Sequence, residues 1–271
     1  MNERAYAKIN RFLHITGKRA DGYHTLRSVM QTVTLFDELT YVPAGEKEEG
    51  FRFSCSDVRL ETEENLCVAA ARAFFGRTGI VPSGHLYLEK HIPCGAGLGG
   101  GSADAAAVLR LLQRRFGNPL RKDELHAAAA ELGADVPFCL YGGKALCEGI
   151  GEVLTPLPDG KEETVVLVRG HEGLSTAEMY RRLDRCPFAC AQDAGDVGND
   201  FEQVAFEMLP EIRKLRDLLL HEGASEAMMS GSGSAVFGIF STREAGHLAA
   251  DRLRRRGDIP FVACCRTAGR V

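Results

Sequence analysis

No segment of this 271-residue chain is apolar for long enough to cross a bilayer. Runs such as Val165-Val166-Leu167-Val168 fall far short of the roughly 20 residues that a spanning helix needs. An excess of basic charge is missing too. Lys and Arg number 33 against 37 Asp and Glu, a net charge of −4, so no global field exists to hold a nucleic-acid backbone. Cys-x-x-Cys pairs are absent although the chain has nine cysteines. The odd count and irregular spacing argue against a disulfide framework, and free, mostly buried thiols are expected. Cys186 and Cys190 lack a nearby histidine pair, and no His-x-x-x-His spacing occurs, so no metal site is expected there. The opening Met1-Asn2-Glu3-Arg4 is charged too early for a secretory signal, which points to a reducing cytoplasm. Repeats and low-complexity tracts are lacking. With 45% hydrophobic and 26% charged residues, wholesale disorder is excluded.

What the chain has in excess is glycine: 30 residues, where average usage gives about 19. The segments around the glycine clusters carry a mixed α and β pattern. Residues 5–15 alternate, with Ala5, Ala7, Ile9, Leu13 and Ile15 on one side and Tyr6, Lys8, Asn10, Phe12 and His14 on the other. That predicts a strand with a polar working face. A turn-rich loop over 16–25 leads to extended chain over 26–42. A helix is expected over 65–75, a strand over 85–92, helices over 103–116 and 123–132, a helix start at 135–138 and extended chain over 145–157. The proline- and charge-rich stretch 155–164 reads as a linker between a unit at 1–157 and another at 158–271. Beyond it the pattern gives a strand (165–169), helices (176–185, 200–221), strands (226–229, 235–240), a helix (243–256) and a strand (259–266). That order, β-α-β-β-α-β with an extra helix in the first crossover, predicts a ferredoxin-like unit. Residues 186–199 read as a polar, mobile loop.

The strongest chemical signal is Pro93-Cys94-Gly95-Ala96-Gly97-Leu98-Gly99-Gly100-Gly101-Ser102, with five glycines in the seven residues 95–101. Bare backbone can bend and bring N–H groups close to an anion, and the helix that follows aims its positive end at the same place. Strand, glycine loop and helix together make a phosphate cradle. A Walker A loop is excluded, because no lysine precedes Ser102. A dinucleotide loop wants an acid about 20 residues on, where Arg115 stands. A second glycine turn, Ser230-Gly231-Ser232-Gly233-Ser234, lies between two apolar segments and suits close approach to a backbone or a phosphate. Asp135 reads either as a helix cap or as a catalytic carboxylate. Lys8 with Asn10, and Tyr23 with His24, read either as solvated surface or as site residues.

In sequence order these motifs resemble the GHMP kinases. The segment 93–106 is similar to that superfamily's central phosphate loop, and 230–237 to its C-terminal glycine motif. Ala7-Lys8-Ile9-Asn10, Asp21-Gly22-Tyr23-His24, Gly133-Ala134-Asp135-Val136-Pro137-Phe138, Ser175-Thr176-Ala177 and Asn199-Asp200-Phe201-Glu202 resemble the branch that phosphorylates a cytidine diphosphate-linked methylerythritol on the route to isoprenoid precursors. The resemblance implies an α+β, two-lobed fold: a ribosomal protein S5 domain 2-like N-terminal lobe and a ferredoxin-like C-terminal lobe. It implies ATP and Mg²⁺ as cofactors, a small-molecule substrate, and neither nucleic acid nor membrane as partner. Asp135 would be the base and Lys8 its counter-charge. Pro93, Cys94, Gly95, Ala96, Gly97, Leu98, Gly99, Gly100, Gly101, Ser102 and Ala103 would wrap the ATP phosphates, with Mg²⁺ near Ser102 and Asn65 toward the adenine or ribose. Tyr23, His24 and Tyr180 would enclose the cytosine. Asn10 and Thr176 would meet the methylerythritol end, with Gly231, Ser232 and Gly233 also on the substrate. The chain departs mildly from the branch at Ala103, where a serine is expected, and around Tyr180.

Two other classes compete with a kinase. An oxidoreductase would use the glycine loop for a dinucleotide, against which stand the missing acid and the strand pattern. An RNA-binding module would need the basic field that the charge balance denies.

Overall fold

The computed structural model describes residues 1–45, 50–185 and 197–270. Two sheets, each backed by helices, face one another. The larger sheet begins with a long antiparallel pair, β1 (Asn2–Lys18) and β2 (His24–Val42). It is completed by β3 (Gly50–Cys55), β4 (Ser83–Glu89), β5 (Lys144–Glu148) and β6 (Val153–Pro156), in the order β3-β4-β2-β5-β6 with β1 also on β2. Helices α1 (Leu66–Thr78), α2 (Gly100–Arg115), α3 (Lys122–Leu132) and α4 (Val136–Tyr141) cover its outer face around Phe74, Leu86, Leu109 and Phe138.

The smaller sheet is built from β7 (Thr164–Arg169), β8 (Glu226–Met229), β9 (Val236–Phe240) and β10 (Phe261–Arg266), ordered β10-β7-β9-β8. Its connections run through α5 (Thr176–Leu183), α6 (Glu202–Met208), α7 (Pro210–His221) and α8 (Arg243–Arg255). This is the expected ferredoxin-like arrangement. Alternation along β7 shows why the sheets stack. Val165 and Leu167 meet Ala7, Ile9 and Val33 of the larger sheet, while Val166 and Val168 pack under α5 to α8.

Four expectations need correction. The strict alternation of β1 fails at register shifts between Tyr6 and Lys8, Asn10 and Phe12, and Ile15 and Gly17. At the first of these shifts β2 runs from Phe36 to Thr32 beside Tyr6 to Lys8, and the pair turns there: Ala5 joins the helix-backed core while Ala7 and Ile9 face the second sheet. The helix expected over 200–221 is two helices. Leu209 leaves helical geometry (φ −140, ψ 84) because Pro210 crowds the residue before it. Extended chain over 145–157 is a hairpin, β5 and β6, turned by Gly149 and Gly151 at positive φ. Finally, β3 lies in a stretch for which the pattern gave no strand, and it runs parallel to β4. The expectations for 186–196, including that of no metal site at Cys186 and Cys190, lie outside the described residues.

Candidate functional site

The glycine loop follows β4 and ends in α2. Three of its glycines, Gly95, Gly97 and Gly99, have φ of 63°, 73° and 69°, in the left-handed region that side chains avoid. Between them Ala96 and Leu98 are 2% and 1% exposed and anchor the loop in the core between the sheets. Gly99 caps α2 with no side-chain hydrogen bond, so the first N–H groups of the helix, from Gly100 on, have no partner within it. The helix therefore starts earlier than the sequence pattern suggests, and Gly100, Gly101 and Ser102 form its first turn. Leu66 of α1 lies 3.5 Å from where a Cβ on Gly101 would stand.

The second glycine turn packs directly on the first. Ser230 donates its hydroxyl to the Gly97 carbonyl at 2.9 Å, and the Ala235 N–H donates to the Ala96 carbonyl at 3.1 Å. A Cβ on Gly97 would stand 2.0 Å from the Ser230 carbonyl oxygen, which explains that glycine by contact as well as by φ. Asn199 holds the turn from behind, its amide donating to the carbonyls of Met229 (2.9 Å) and Gly231 (2.8 Å). Neither Ser230 nor Asn199 is assigned a role by the sequence pattern, although both lie in motifs that it singles out.

Both glycine segments close on Lys8. Its stem lies against Gly99, where a Cβ would come within 2.9 Å of Lys8 Cγ. Its ammonium is 3.3 Å from the Cβ position of Gly231. Lys8 and Asn10 are 4% and 1% exposed, so the polar face of β1 is enclosed rather than solvated. Lys8 Nζ donates to Asn10 Oδ1 at 2.7 Å and lies 3.3 Å from Asp135 Oδ2. Asn10 in turn donates to the Ser28 hydroxyl at 2.8 Å. Asp135 precedes α4 but makes no side-chain cap, which removes the capping reading. Its carboxylate is turned to Lys8, with 29% of the side chain open to solvent.

The aromatic residues gather on the other side. His24 stacks on Tyr180 at 4.7 Å, and Tyr180 meets Phe201 edge-on at 4.9 Å. Burial, reinforced by the charge of Asp135, pushes the Tyr180 phenol up to about 12. Asp184 accepts from His24 Nε2 and Lys18 Nζ, each at 2.6 Å. Lys18, with His24 second, holds the Asp184 carboxyl below its ordinary value. Tyr23, next to His24 in the chain, is 61% exposed. Thr176 and Ser232 share a hydrogen bond of 2.8 Å, joining α5 to the second glycine turn. Asn65 spends its side chain locally: its oxygen accepts from the Cys67 N–H (2.8 Å) and its amide donates to the Leu60 carbonyl (2.9 Å). It is the N-cap of α1, a role that competes with contact to a nucleotide.

Among the described residues no helix is long and apolar enough to cross a membrane, and no group of three or more His, Cys, Asp or Glu could cage a metal ion. The seven described cysteines are free, and Cys94 is the exposed one.

Known proteins share this arrangement. The family described as GHMP kinases N terminal domain matches residues 65–143, and the one described as GHMP kinases C terminal matches 188–259. A protein of Desulfitobacterium hafniense named 4-diphosphocytidyl-2-C-methyl-D-erythritol kinase is 42% identical over 269 residues, covering 93% of this chain and 91% of its own. One of the same name from Prosthecochloris aestuarii is 40% identical, with 92% of each chain covered. A crystal structure of 4-(cytidine 5'-diphospho)-2C-methyl-D-erythritol kinase superposes with a TM-score of 0.85 at 32% identity, over 99% of this chain and 100% of that one. A homoserine kinase from Cytophaga hutchinsonii shares the fold, with a TM-score of 0.71 at 17% identity over 99% and 95% of the chains. The chain belongs to the GHMP kinases, in the family of the 4-diphosphocytidyl-2-C-methyl-D-erythritol kinases.

Proposed function

We propose that the protein transfers the γ-phosphoryl group of ATP to the 2-hydroxyl of 4-diphosphocytidyl-2-C-methyl-D-erythritol, as a cytoplasmic enzyme of isoprenoid precursor synthesis that needs no nucleic-acid partner. Membership of a kinase family supplies the use of ATP. The observation that carries the rest is the convergence of both glycine segments on Lys8, 3.3 Å from Asp135. We read residues 1–157 as the nucleotide lobe and 158–271 as the substrate-side lobe.

The bare backbone from Pro93 to Ala103 receives the triphosphate. A Cβ on Gly95 would have open space on every side within 4 Å, which leaves room for a ligand at the mouth of the helix. The N-terminal N–H groups of α2 and its dipole favour the anion there. Mg²⁺ suits this setting although the described residues form no cage, because it keeps waters and takes most of its other oxygens from phosphates. The Ser102 hydroxyl is the oxygen donor we assign to it, and the ion would neutralise charge on the transferring group. Asn65 supports the nucleotide wall through the start of α1.

On the acceptor side Asn10 and Thr176 orient the methylerythritol, with Gly231, Ser232 and Gly233 bordering it. Tyr23, His24 and Tyr180 enclose the cytosine. Asp135 takes the proton from the hydroxyl as its oxygen attacks the γ-phosphorus in line. Lys8 opposes the negative charge that grows on that oxygen, and its bond to Asn10 keeps the ammonium in place. The base contributes about 10²–10⁴-fold, and positioning and charge neutralisation supply the remainder. The test is incubation with the cytidyl substrate, ATP and Mg²⁺, following ADP release and the phosphorus spectrum of the product. A 2-phosphate monoester is expected. Turnover of homoserine or mevalonate in its place overturns the reading.

A further inference from the structure

Three charged side chains beneath the glycine loop take no part in the chemistry above. Asp37 lies on β2 and is fully buried, Lys90 follows β4, and Asp104 stands in the second turn of α2 at 3% exposure. Lys90 Nζ donates to Asp37 Oδ2 at 2.5 Å and to Asp104 Oδ2 at 2.8 Å. The other oxygen of Asp37 accepts the backbone N–H groups of His91 (2.5 Å) and Ile92 (2.8 Å). Residues 90–92 are the way into the loop, and the start of α2 is the way out. One carboxylate thus grips the chain before the loop, and one ammonium ties it to the chain after the loop. The fit is tight: a Cβ on Gly100 would stand 3.0 Å from Ile92 Cγ2 and 3.3 Å from Lys90 Nζ.

Stability alone does not account for such a cluster. Desolvating these charges is costly, and well-packed apolar residues of the same volume commonly serve a core as well or better. What the cluster supplies is a fixed relation between two backbone segments that must both face one anion. We propose that Asp37, Lys90 and Asp104 form a buried clamp on the two ends of the 93–99 loop and act as positioning residues for the triphosphate. The proposal rests on the reading of that loop as the nucleotide site.

The test is ATP binding to the intact protein with Mg²⁺, by calorimetry, beside separate KM values for ATP and the alcohol. Lys90→Met is expected to raise the KM for ATP about tenfold or more and to leave that for the alcohol within about twofold. Asp104→Leu, which removes the acceptor for Lys90 at similar volume, is expected to weaken ATP binding about tenfold, and Asp104→Asn, which keeps an acceptor there, to stay within about threefold of wild type. Should Lys90→Met fail to fold, the two Asp104 variants decide alone. Equal ATP affinity in Asp104→Asn and Asp104→Leu, or a folded Lys90→Met with wild-type ATP affinity, overturns the clamp. Absence of saturable ATP binding by wild type overturns instead the nucleotide reading beneath it.

Discussion

The two walls of the proposed site are built by different means. The wall proposed for the phosphates is backbone: left-handed glycines alternating with buried Ala96 and Leu98, a second glycine turn bonded to the first, and a lysine enclosed between them. The aromatic wall is side chains: His24 on Tyr180, Tyr180 on Phe201, and an Asp184 that is 36% open to solvent holding His24 and Lys18. Backbone walls tolerate little, because a displaced carbonyl has no second rotamer to adopt. Side-chain walls can repack. The comparison predicts steep losses from small changes on one wall and shallow losses from large changes on the other.

The largest effect belongs to the residue where the walls meet. Asp135→Asn removes the proposed base but keeps the side-chain volume next to Lys8. We expect kcat to fall by about 10²–10⁴-fold with ATP binding kept within about twofold, read from ADP release and nucleotide titration. Wild-type turnover would take Asp135 out of the base role and with it the division between the walls.

Next comes a methyl group on the phosphate wall. Gly97→Ala would set a Cβ 2.0 Å from the Ser230 carbonyl oxygen at a φ of 73°. The two glycine segments must then part, and we expect about a tenfold or greater loss of ATP affinity together with a lower melting temperature. Gly95→Ala is the control. Its φ is similar, 63°, but a Cβ there meets nothing within 4 Å. In the ligand-free protein it carries only the left-handed backbone penalty of about 1–2 kcal/mol, so it is compared by melting temperature. Equal losses of melting temperature in the two variants would show that contact between the glycine segments does not fix this wall.

The aromatic wall should respond less. Tyr180→Ala deletes a stacked and an edge-on ring pair, each worth about 0.5–1.5 kcal/mol. The KM for the cytidyl substrate should rise by about three- to tenfold with that for ATP unchanged, and Tyr180→Phe should be near wild type. A larger effect on ATP than on the cytidyl substrate would place Tyr180 on the wrong wall.

The same contrast governs what the sequence makes legible. A backbone wall writes itself into composition, since only glycine serves at 95, 97 and 99, so the loop stands out in the bare amino-acid order. Its neighbours do not. That Lys8 and Asn10 are enclosed follows from the second glycine turn folding over β1, and Ser230 and Gly97 are 133 positions apart. The clamp of Asp37, Lys90 and Asp104 is invisible for a related reason, because Lys90 stands 53 positions from Asp37 and 14 from Asp104 and no motif spacing links the three. The ferredoxin-like half is read correctly because its strands and helices have clean periods. The break at Leu209 is missed because the apolar stripe of Val204, Met208, Ile212 and Leu215 continues in phase across Pro210. Asp135 stays ambiguous in the sequence because cap and base use the same residue at the same place. The direction of its carboxylate, toward Lys8 and not back to the helix, removes the cap.

The smallest effect sharpens the comparison from its weak end. Asp184→Asn removes the charge that faces Lys18 and His24 at the rim of the aromatic wall. Such exposed pairs are worth under about 1 kcal/mol and are screened by salt. The sign of the pH dependence is fixed by the depressed Asp184 carboxyl. The folded protein binds its proton less readily than the unfolded chain does. The stabilisation is therefore present above the ordinary carboxyl value of 3.8 and is lost as pH falls through the depressed one. Thermal melting of wild type and Asp184→Asn should differ by a small, constant amount between about pH 5 and about pH 8 and converge in stronger acid. Half-molar salt should shrink the gap at neutral pH. A gap that widens toward acid, or that ignores salt, would mean that Asp184 acts through packing. The aromatic wall would then be as rigidly held as the phosphate wall opposite.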